Sequence, residues 1–148
     1  MEVVVPLPDR IERTLELHHP PDKVWNALTT AEGLGSWFGS RAEIDDLCPG
    51  GTVRVWWDDD GPHTLSIQTV EPPRRFAFTW PIEGLPPSDP RRTHVEISLA
   101  PTPTGTRLMV VDTGFAQLPD HLANAYEGNV SGWTTELAEL AEYLDAAA

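Results

Sequence analysis

Asp112 is the residue in this chain best placed by type and spacing to do acid–base chemistry. It follows Leu108 and Val110 at alternate positions near the end of an apolar run, so a strand there would turn its carboxyl toward the inner face of a sheet. Burial would raise the carboxyl pKa and suit it to proton transfer or to a hydrogen bond with a ligand. The alternative is that Asp112 only caps the turn at Gly114.

Tyr126 and Asn129 are the polar residues that could join this carboxyl. They lie three positions apart in a helical stretch, which places a phenol and an amide on roughly the same helix face. Both could instead pair with neighbouring backbone groups. Asp112 and Tyr126 are therefore the candidate catalytic residues, but no acid and base pair is recognisable and a catalytic role stays open.

Other catalytic and metal chemistry has no support in the spacing of residues. The segment WWDDDGPH over 56–63 has Pro62 where a calcium loop needs an oxygen ligand, and it is typical of a solvated hairpin turn. The five histidines are scattered, with no glutamate at the spacing of a zinc-binding helix. The segment GLGSWFG over 33–39 lacks the spacing of a serine nucleophile elbow. We expect neither a metal nor a cofactor.

Composition limits the partners and the compartment. The 148 residues fit one domain, and 23 acidic against 10 basic residues give a net charge of -13 that repels nucleic acid and anionic membranes. The single cysteine, Cys48, cannot form an intrachain disulfide, which is typical of a reducing compartment. Neither a basic leader nor a run of about 18 apolar residues occurs. These features predict a cytoplasmic protein without nucleic-acid or membrane partners.

The elements that would position the polar residues follow from the periodicity of apolar positions. Alternation over 11–17 predicts a first strand. Pro21 is expected to begin a first short helix, and the stretch 31–37 is expected to form a second. Six short runs bounded by turn residues predict an antiparallel meander; they cover 41–46, 52–58, 63–70, 74–80, 92–100 and 106–114. A long helix is predicted from about 119 to 148, with Glu136, Glu139 and Glu142 turned outward. The order predicts an α+β fold whose helix covers one face of a curved sheet.

The aromatic residues of EPPRRFAFTW (71–80) show which face that is. Phe76, Phe78 and Trp80 alternate, so all three rings point to one side of a strand and are expected to face the terminal helix. Trp56 and Trp57 point to opposite faces, so one of them joins that side. In the helix, Gly132 is expected to permit a close approach of another element beside a buried Trp133.

Seven short motifs in order resemble the START-like, or helix-grip, superfamily, in the branch named for the activator of heat-shock protein 90 ATPase. They are PDKVWNALTT (21–30), WF (37–38), PGG (49–51), VEPPRRFAFTW (70–80), GTRL (105–108), GF (114–115) and GW (132–133) with two following leucines. The resemblance implies a curved sheet of six to seven strands wrapped around the C-terminal helix. It implies one START-like domain over 11–146 after a tail over 1–10.

The resemblance also implies a deep cavity between sheet and helix. The first hypothesis is a binding protein for a small, largely apolar molecule, aromatic or polyketide-like. The alternatives are a polyketide cyclase or aromatase and, last, a co-chaperone-like interaction domain; the protein is expected to be a monomer or a homodimer. The residues expected around the ligand are Trp37, Trp57, Phe76, Phe78, Trp80, Val95, Ile97, Val110, Asp112, Tyr126, Asn129 and Trp133.

Overall fold

A computed structural model describes residues 10–81, 90–115 and 124–146, with the side chains of 124–128 excepted. Within these ranges there are three helices and seven strands. In chain order they are β1 (Arg10–Leu17), α1 (Pro21–Thr29), α2 (Ala31–Trp37), β2 (Arg41–Asp45), β3 (Thr52–Trp57), β4 (Asp60–Glu71), β5 (Arg75–Pro81), β6 (Arg92–Thr102), β7 (Gly105–Thr113) and α3 (Asn124–Ala146). The predicted α+β element order is confirmed. Of the predicted tail over 1–10, residues 1–9 lie outside the described residues, and Arg10 already belongs to β1.

The strands form one antiparallel sheet in the order β1-β7-β6-β5-β4-β3-β2. Every strand pairs with its neighbour in sequence except β1, which crosses to pair with β7. In β5 and β6, Phe76 faces Ile97 and Phe78 faces Val95, and all four side chains are buried. The expectation that these rings share the inner face is confirmed, because alternate strand residues point to the same side.

Two short helices cover one part of this inner face. Pro21 begins α1, where a missing N–H costs nothing. Thr30 caps α2, because its hydroxyl accepts a hydrogen bond from the backbone N–H of Gly33 at 3.0 Å. Trp37, the last residue of α2, connects this helix back to α1, because its Nε1 donates to the backbone oxygen of Ala27 at 2.7 Å. That bond satisfies a buried indole N–H and fixes the end of α2.

Helix α3 lies over the sheet with one apolar stripe turned inward. Trp133, Leu137, Leu140 and Leu144 are buried, and their spacing of four, three and four residues places them on one face. Its 23 residues extend about 35 Å. The predicted burial of Trp133 is thus confirmed. None of the described helices is long and apolar enough to cross a membrane.

Gly132 corrects one prediction about this helix. A β-carbon built at Gly132 would meet no atom within 4 Å, so the glycine does not permit a close approach of another element. The close approach is found instead at Gly33, where an added β-carbon would lie 2.6 Å from the backbone oxygen of Ala27. Glycine is therefore required at position 33, where α2 approaches α1, and not at position 132.

The C-terminal end of α3 is tied to α1 by a polar cluster. Lys23 Nζ donates to the backbone oxygen of Leu144 at 2.9 Å and contacts His19 Nδ1 at 3.2 Å. Because an ammonium group can only donate, Nδ1 accepts and Nε2 carries the hydrogen. Nε2 then donates to Asp145 Oδ1 at 2.7 Å. A cation at the last carbonyls of α3 also suits the negative end of the helix dipole.

Candidate functional site

Three aromatic rings meet between the sheet, the end of α2 and helix α3. Phe38, Trp80 and Trp133 are in mutual contact, with ring centroids 5.8 Å apart for Phe38 and Trp80, 6.0 Å for Phe38 and Trp133, and 5.7 Å for Trp80 and Trp133. Phe38 and Trp133 are buried, whereas Trp80 near the end of β5 is only partly buried. We call these three rings the aromatic triad. Trp80 is its solvent-facing member.

Trp57 extends the triad toward β3 and β4. Its ring lies 5.3 Å from that of Phe38 and 5.3 Å from that of His63. Trp56 points the other way, and the Arg41 guanidinium lies 4.3 Å from its ring centroid in a cation–π contact. Of the two adjacent tryptophans, Trp57 is therefore the inner one.

A small cavity lies behind the triad, with a volume of about 10 Å³. Every side chain around it is aliphatic or aromatic; they are Leu28, Leu34, Trp37, Phe38, Val53, Val55, Leu65, Phe76, Phe78, Ile97 and Trp133. Such a volume holds at most about one water molecule, whereas pockets for small organic ligands measure roughly 300–1,000 Å³. The aromatic side chains thus fill most of the space between sheet and helix in this conformation.

Asp112 on β7 is fully buried and is bound by helix α3. Its Oδ2 accepts hydrogen bonds from Trp133 Nε1 at 3.0 Å and from Asn129 Nδ2 at 3.3 Å. On either side in the sheet it faces Ile11 and Val95, both buried and apolar. Its described hydrogen bonds therefore join the sheet to the helix, and the alternative that Asp112 only caps a turn at Gly114 is not supported.

Burial raises the pKa of Asp112 to about 6, against an ordinary value of 3.8. The hydrogen bonds from Trp133 and Asn129 and the proximity of the Thr93 hydroxyl lower the pKa, but they do not offset desolvation. Thr93 Oγ1 and Asp112 Oδ1 are both buried, and neither has a hydrogen-bond partner of ordinary geometry among the described residues. One carboxylate oxygen is thus engaged and the other is not.

Glu136 on α3 is a second perturbed carboxyl, and it corrects the prediction that this residue points outward. It is half-buried, whereas Glu139 and Glu142 are exposed as predicted. Burial, with the neighbouring charge of Glu139, raises the pKa of Glu136 to about 8, and an interaction with the Trp57 side chain lowers it by less. The helical spacing contained a weak signal, because Glu136 lies one turn after Trp133 on the edge of the apolar stripe.

The structure separates the predicted site residues into groups. Lining the cavity are Trp37, Phe76, Phe78, Ile97 and Trp133. Trp57 and Trp80 lie in the aromatic cluster, Asp112 and Asn129 form the polar contact with the helix, and Val95 and Val110 are buried in the inner face without lining the cavity. The Tyr126 side chain lies outside the described residues. Sequence reasoning missed Phe38 at the end of α2, although WF (37–38) was among the motifs.

The described residues contain no group of three histidine, cysteine, aspartate or glutamate side chains arranged to hold a metal ion. The site is thus a cluster of aromatic rings, with the carboxyl groups of Asp112 and Glu136 at its edge. Such an arrangement can hold an apolar molecule by contact area, and it can place a hydrogen-bond acceptor or a proton donor beside it.

Comparison with known proteins places the chain among similar sequences and folds. The profile described as activator of Hsp90 ATPase homolog 1-like protein matches residues 18–145. The structure of MLL2253 from Mesorhizobium loti is 27% identical, with a TM-score of 0.80 over 94% of this chain and 98% of that one. No curated protein matches.

Two further structures are similar over most of this chain. DynU16, a protein in the dynemicin biosynthetic locus, is 25% identical with a TM-score of 0.77; the match covers 95% of this chain and 48% of that one. The Aha1 dimer from Colwellia psychrerythraea is 19% identical with a TM-score of 0.72, covering 91% of this chain and 95% of that one. At that identity the likeness to Aha1 shows the fold alone.

Proposed function

The chain belongs to the activator of Hsp90 ATPase homolog 1-like family, and we propose that it binds a small, largely apolar molecule between the inner face of the sheet and α3. The observation that carries this proposal is the aromatic triad. Phe38 directly follows α2, whereas Trp80 and Trp133 belong to β5 and α3, and the three rings meet at the border of an all-apolar cavity. Flat rings of this kind offer a large contact area to another flat apolar molecule.

Binding requires the triad to open, because the cavity of about 10 Å³ cannot hold an organic molecule. Trp133 is held through its Nε1 by Asp112, and Phe38 is buried. Trp80 is partly exposed, and its ring contacts those of Phe38, Phe78 and Trp133. We infer that the Trp80 ring moves outward without leaving the site, so that the ligand ring lies between Trp80 and Trp133.

Fluorescence titration with a panel of apolar aromatic compounds tests the proposal. Quenching of tryptophan emission is expected to saturate, because a ligand ring would lie against Trp80 and Trp133. Trp56→Phe is the matched control, since Trp56 lies on the opposite face against Arg41, and saturable quenching should persist in it. Native mass spectrometry of the purified protein adds a direct search for a co-purified small molecule. No saturable quenching across the panel, with no bound molecule in the mass spectrum, would contradict the binding function.

A second candidate function is an enzyme of cyclase or aromatase type, favoured by the two perturbed carboxyls. Burial raises the pKa of Asp112 to about 6 and that of Glu136 to about 8. At pH 7 the first is mostly ionised and the second mostly protonated, so they suit the roles of general base and general acid. Similarity to DynU16, from a biosynthetic locus, also supports this candidate.

Hydrogen exchange at the carbon next to a carbonyl distinguishes a cyclase-type enzyme from a protein that only binds its ligand. An aromatic β-diketone in D₂O would exchange this hydrogen faster with the protein than without it, measured by proton NMR. Asp112→Asn and Glu136→Gln should each abolish the acceleration. Bound diketone with no acceleration in the unmodified protein would reject the enzyme and leave the binding function in place.

The assembly state and the compartment are also proposals. We propose a cytoplasmic protein that is a monomer or a homodimer, and the Aha1 dimer from Colwellia psychrerythraea, which has a similar fold, supports the second state. Light scattering on the purified chain distinguishes the two states.

A further inference from the structure

Buried polar atoms without a partner are concentrated near the aromatic triad. In the described part of the chain, four buried side-chain oxygens have no hydrogen-bond partner there: those of Thr93, Thr102, Asp112 and Glu136. A buried polar atom without a partner destabilises the folded state, so folded proteins contain few of them. Thr102 lies at the distant turn between β6 and β7, whereas Thr93 and Asp112 lie together.

The strand register shows how Thr93 and Asp112 relate to the triad. Val95 faces Asp112 across β6 and β7, so Thr93 is the diagonal neighbour of Asp112 on the same inner face. Trp80 faces Thr93 across β5 and β6. Trp133 contacts the Trp80 ring and hydrogen-bonds Asp112. Its indole therefore reaches from Trp80 on β5 to Asp112 on β7, and Thr93 on β6 lies between these two residues. The two unpartnered oxygens therefore lie beside the place where the proposed ligand would pack.

These two oxygens differ in what they can accept and donate. The free Oδ1 of an ionised Asp112 can only accept a hydrogen bond, and the Thr93 hydroxyl can donate or accept. A ligand hydroxyl matches both groups, because it donates through its hydrogen and accepts through its oxygen. An ether cannot donate to Asp112, an ammonium group cannot accept from Thr93, and a ligand carboxylate would be repelled by a buried negative charge.

We propose that Asp112 and Thr93 select a ligand hydroxyl, so that the molecule bound at this site is an aromatic or similarly apolar compound bearing an alcohol or phenol group. The ligand hydroxyl donates to Asp112 Oδ1 and accepts from Thr93 Oγ1, while its apolar body packs against Trp80 and Trp133. This inference rests on the proposed binding function, since it names the chemistry of the ligand at that same site.

The test compares matched probes that differ in one group. Equilibrium dialysis at pH 7.5 measures the dissociation constants of naphthalene, 2-naphthol, 2-methoxynaphthalene and 2-(aminomethyl)naphthalene. The unmodified protein is expected to bind 2-naphthol about tenfold or more tightly than 2-methoxynaphthalene, because only the naphthol can donate a hydrogen bond to the buried Asp112 Oδ1. The ammonium probe should bind more weakly than 2-naphthol.

Two variants connect this preference to the two residues. Thr93→Val keeps the shape and removes the hydroxyl, and it should reduce the preference for 2-naphthol severalfold while the naphthalene constant stays within twofold. Asp112→Asn should remove most of the preference. Its amide oxygen can take the Trp133 hydrogen bond, which leaves an N–H facing the ligand, and a hydroxyl oxygen and an ether oxygen can both accept from that N–H. Thr93→Ser, which retains the hydroxyl, should restore the preference. Asp59→Asn and Thr64→Val, at exposed positions, are the controls and should change nothing.

The outcomes separate this inference from the binding function beneath it. If no probe binds saturably to the unmodified protein, the proposed binding function fails. If naphthalene binds and 2-methoxynaphthalene binds as tightly as 2-naphthol, the binding function stands and hydroxyl selection is overturned. Tightest binding of the ammonium probe, or a preference for 2-naphthol that survives both Asp112→Asn and Thr93→Val, overturns it as well. Thermal melting confirms that each variant is folded.

Discussion

Trp133 on α3 donates a hydrogen bond from Nε1 to Oδ2 of Asp112 on β7 at 3.0 Å, and both side chains are buried. One contact thus joins the terminal helix to the sheet and determines where the indole ring lies. The same ring contacts Trp80 and Phe38. The geometry of the aromatic triad therefore depends on a carboxyl that is itself close to titration near neutral pH.

Trp133→Phe tests this bond, because it keeps an aromatic ring and removes the donor. We expect a loss of about 1–3 kcal/mol in the free energy of unfolding at pH 7.5, since a buried acceptor loses its nearer partner. The loss should be smaller at pH 4, where Asp112 is protonated. Urea denaturation at both pH values measures the difference, with Trp56→Phe on the outer face as control.

Trp133→Ala should lower the free energy of unfolding by about 3–5 kcal/mol, because it removes a large buried side chain. An unchanged melting temperature would place Trp133 at the surface.

Asp112→Asn is expected to change the pH dependence of stability. Between pH 3.8 and about 6 the folded protein retains a proton that the unfolded chain has released. The free energy of unfolding therefore falls as pH rises through this window, by about 3 kcal/mol in total. Asparagine does not titrate, so urea denaturation of the variant should show a flatter profile from pH 4 to 6. A profile as steep as that of the unmodified protein would assign the slope to other groups.

Glu136→Gln should act in a higher pH window. The pKa of Glu136 is raised from 4.5 to about 8, so its contribution to stability is fully present below pH 4.5 and is lost as the pH rises through 8. The variant is therefore expected to flatten the stability profile between about pH 4.5 and 8, whereas the effect of Asp112 ends near pH 6. Glu139→Gln should move this window to lower pH, because the charge of Glu139 is one cause of the shift. The exposed Glu142→Gln should leave it in place.

Gly132→Ala is expected to stabilise the protein by about 0.5–1 kcal/mol. Glycine is unfavourable inside a helix, and a β-carbon at this position would meet no atom within 4 Å. Gly33→Ala is the matched opposite, because its β-carbon would lie 2.6 Å from the backbone oxygen of Ala27. Thermal melting of the two variants should give shifts of opposite sign. Destabilisation by Gly132→Ala would show that α3 is packed against another element there.

Trp80→Ala separates a ligand-binding role from a core role. Trp80 is partly exposed at the border of the cavity, so its removal should lower the melting temperature less than loss of a buried ring would. It should weaken saturable binding of aromatic probes by at least tenfold, because the ligand loses one aromatic wall. Phe76→Leu, deeper in the same strand, is the control and should lower stability with less effect on binding. Lost stability with unchanged binding would assign Trp80 to the core.

The inner face of the sheet was predictable from sequence because strand periodicity is local. Alternation over Phe76, Phe78 and Trp80, and over Leu108, Val110 and Asp112, determines which side chains share a face once the segment is extended. For the same reason the burial of Asp112 could be inferred before its partners were known. The apolar stripe that buries Trp133 follows equally from helical spacing.

Contacts between distant segments were decided by the tertiary structure alone. Successive side chains of a strand point to opposite faces, so Trp56 and Trp57 must lie on different sides of the sheet. Only the contact with Phe38 shows that Trp57 is the inner one. Glu136 lies at the edge of the helical stripe, and its burial depends on which strand residue packs beside it. The closed cavity depends on rings from three elements meeting within about 6 Å. Periodicity constrains the direction of a side chain within its own element, whereas distances between elements depend on how all the side chains pack together.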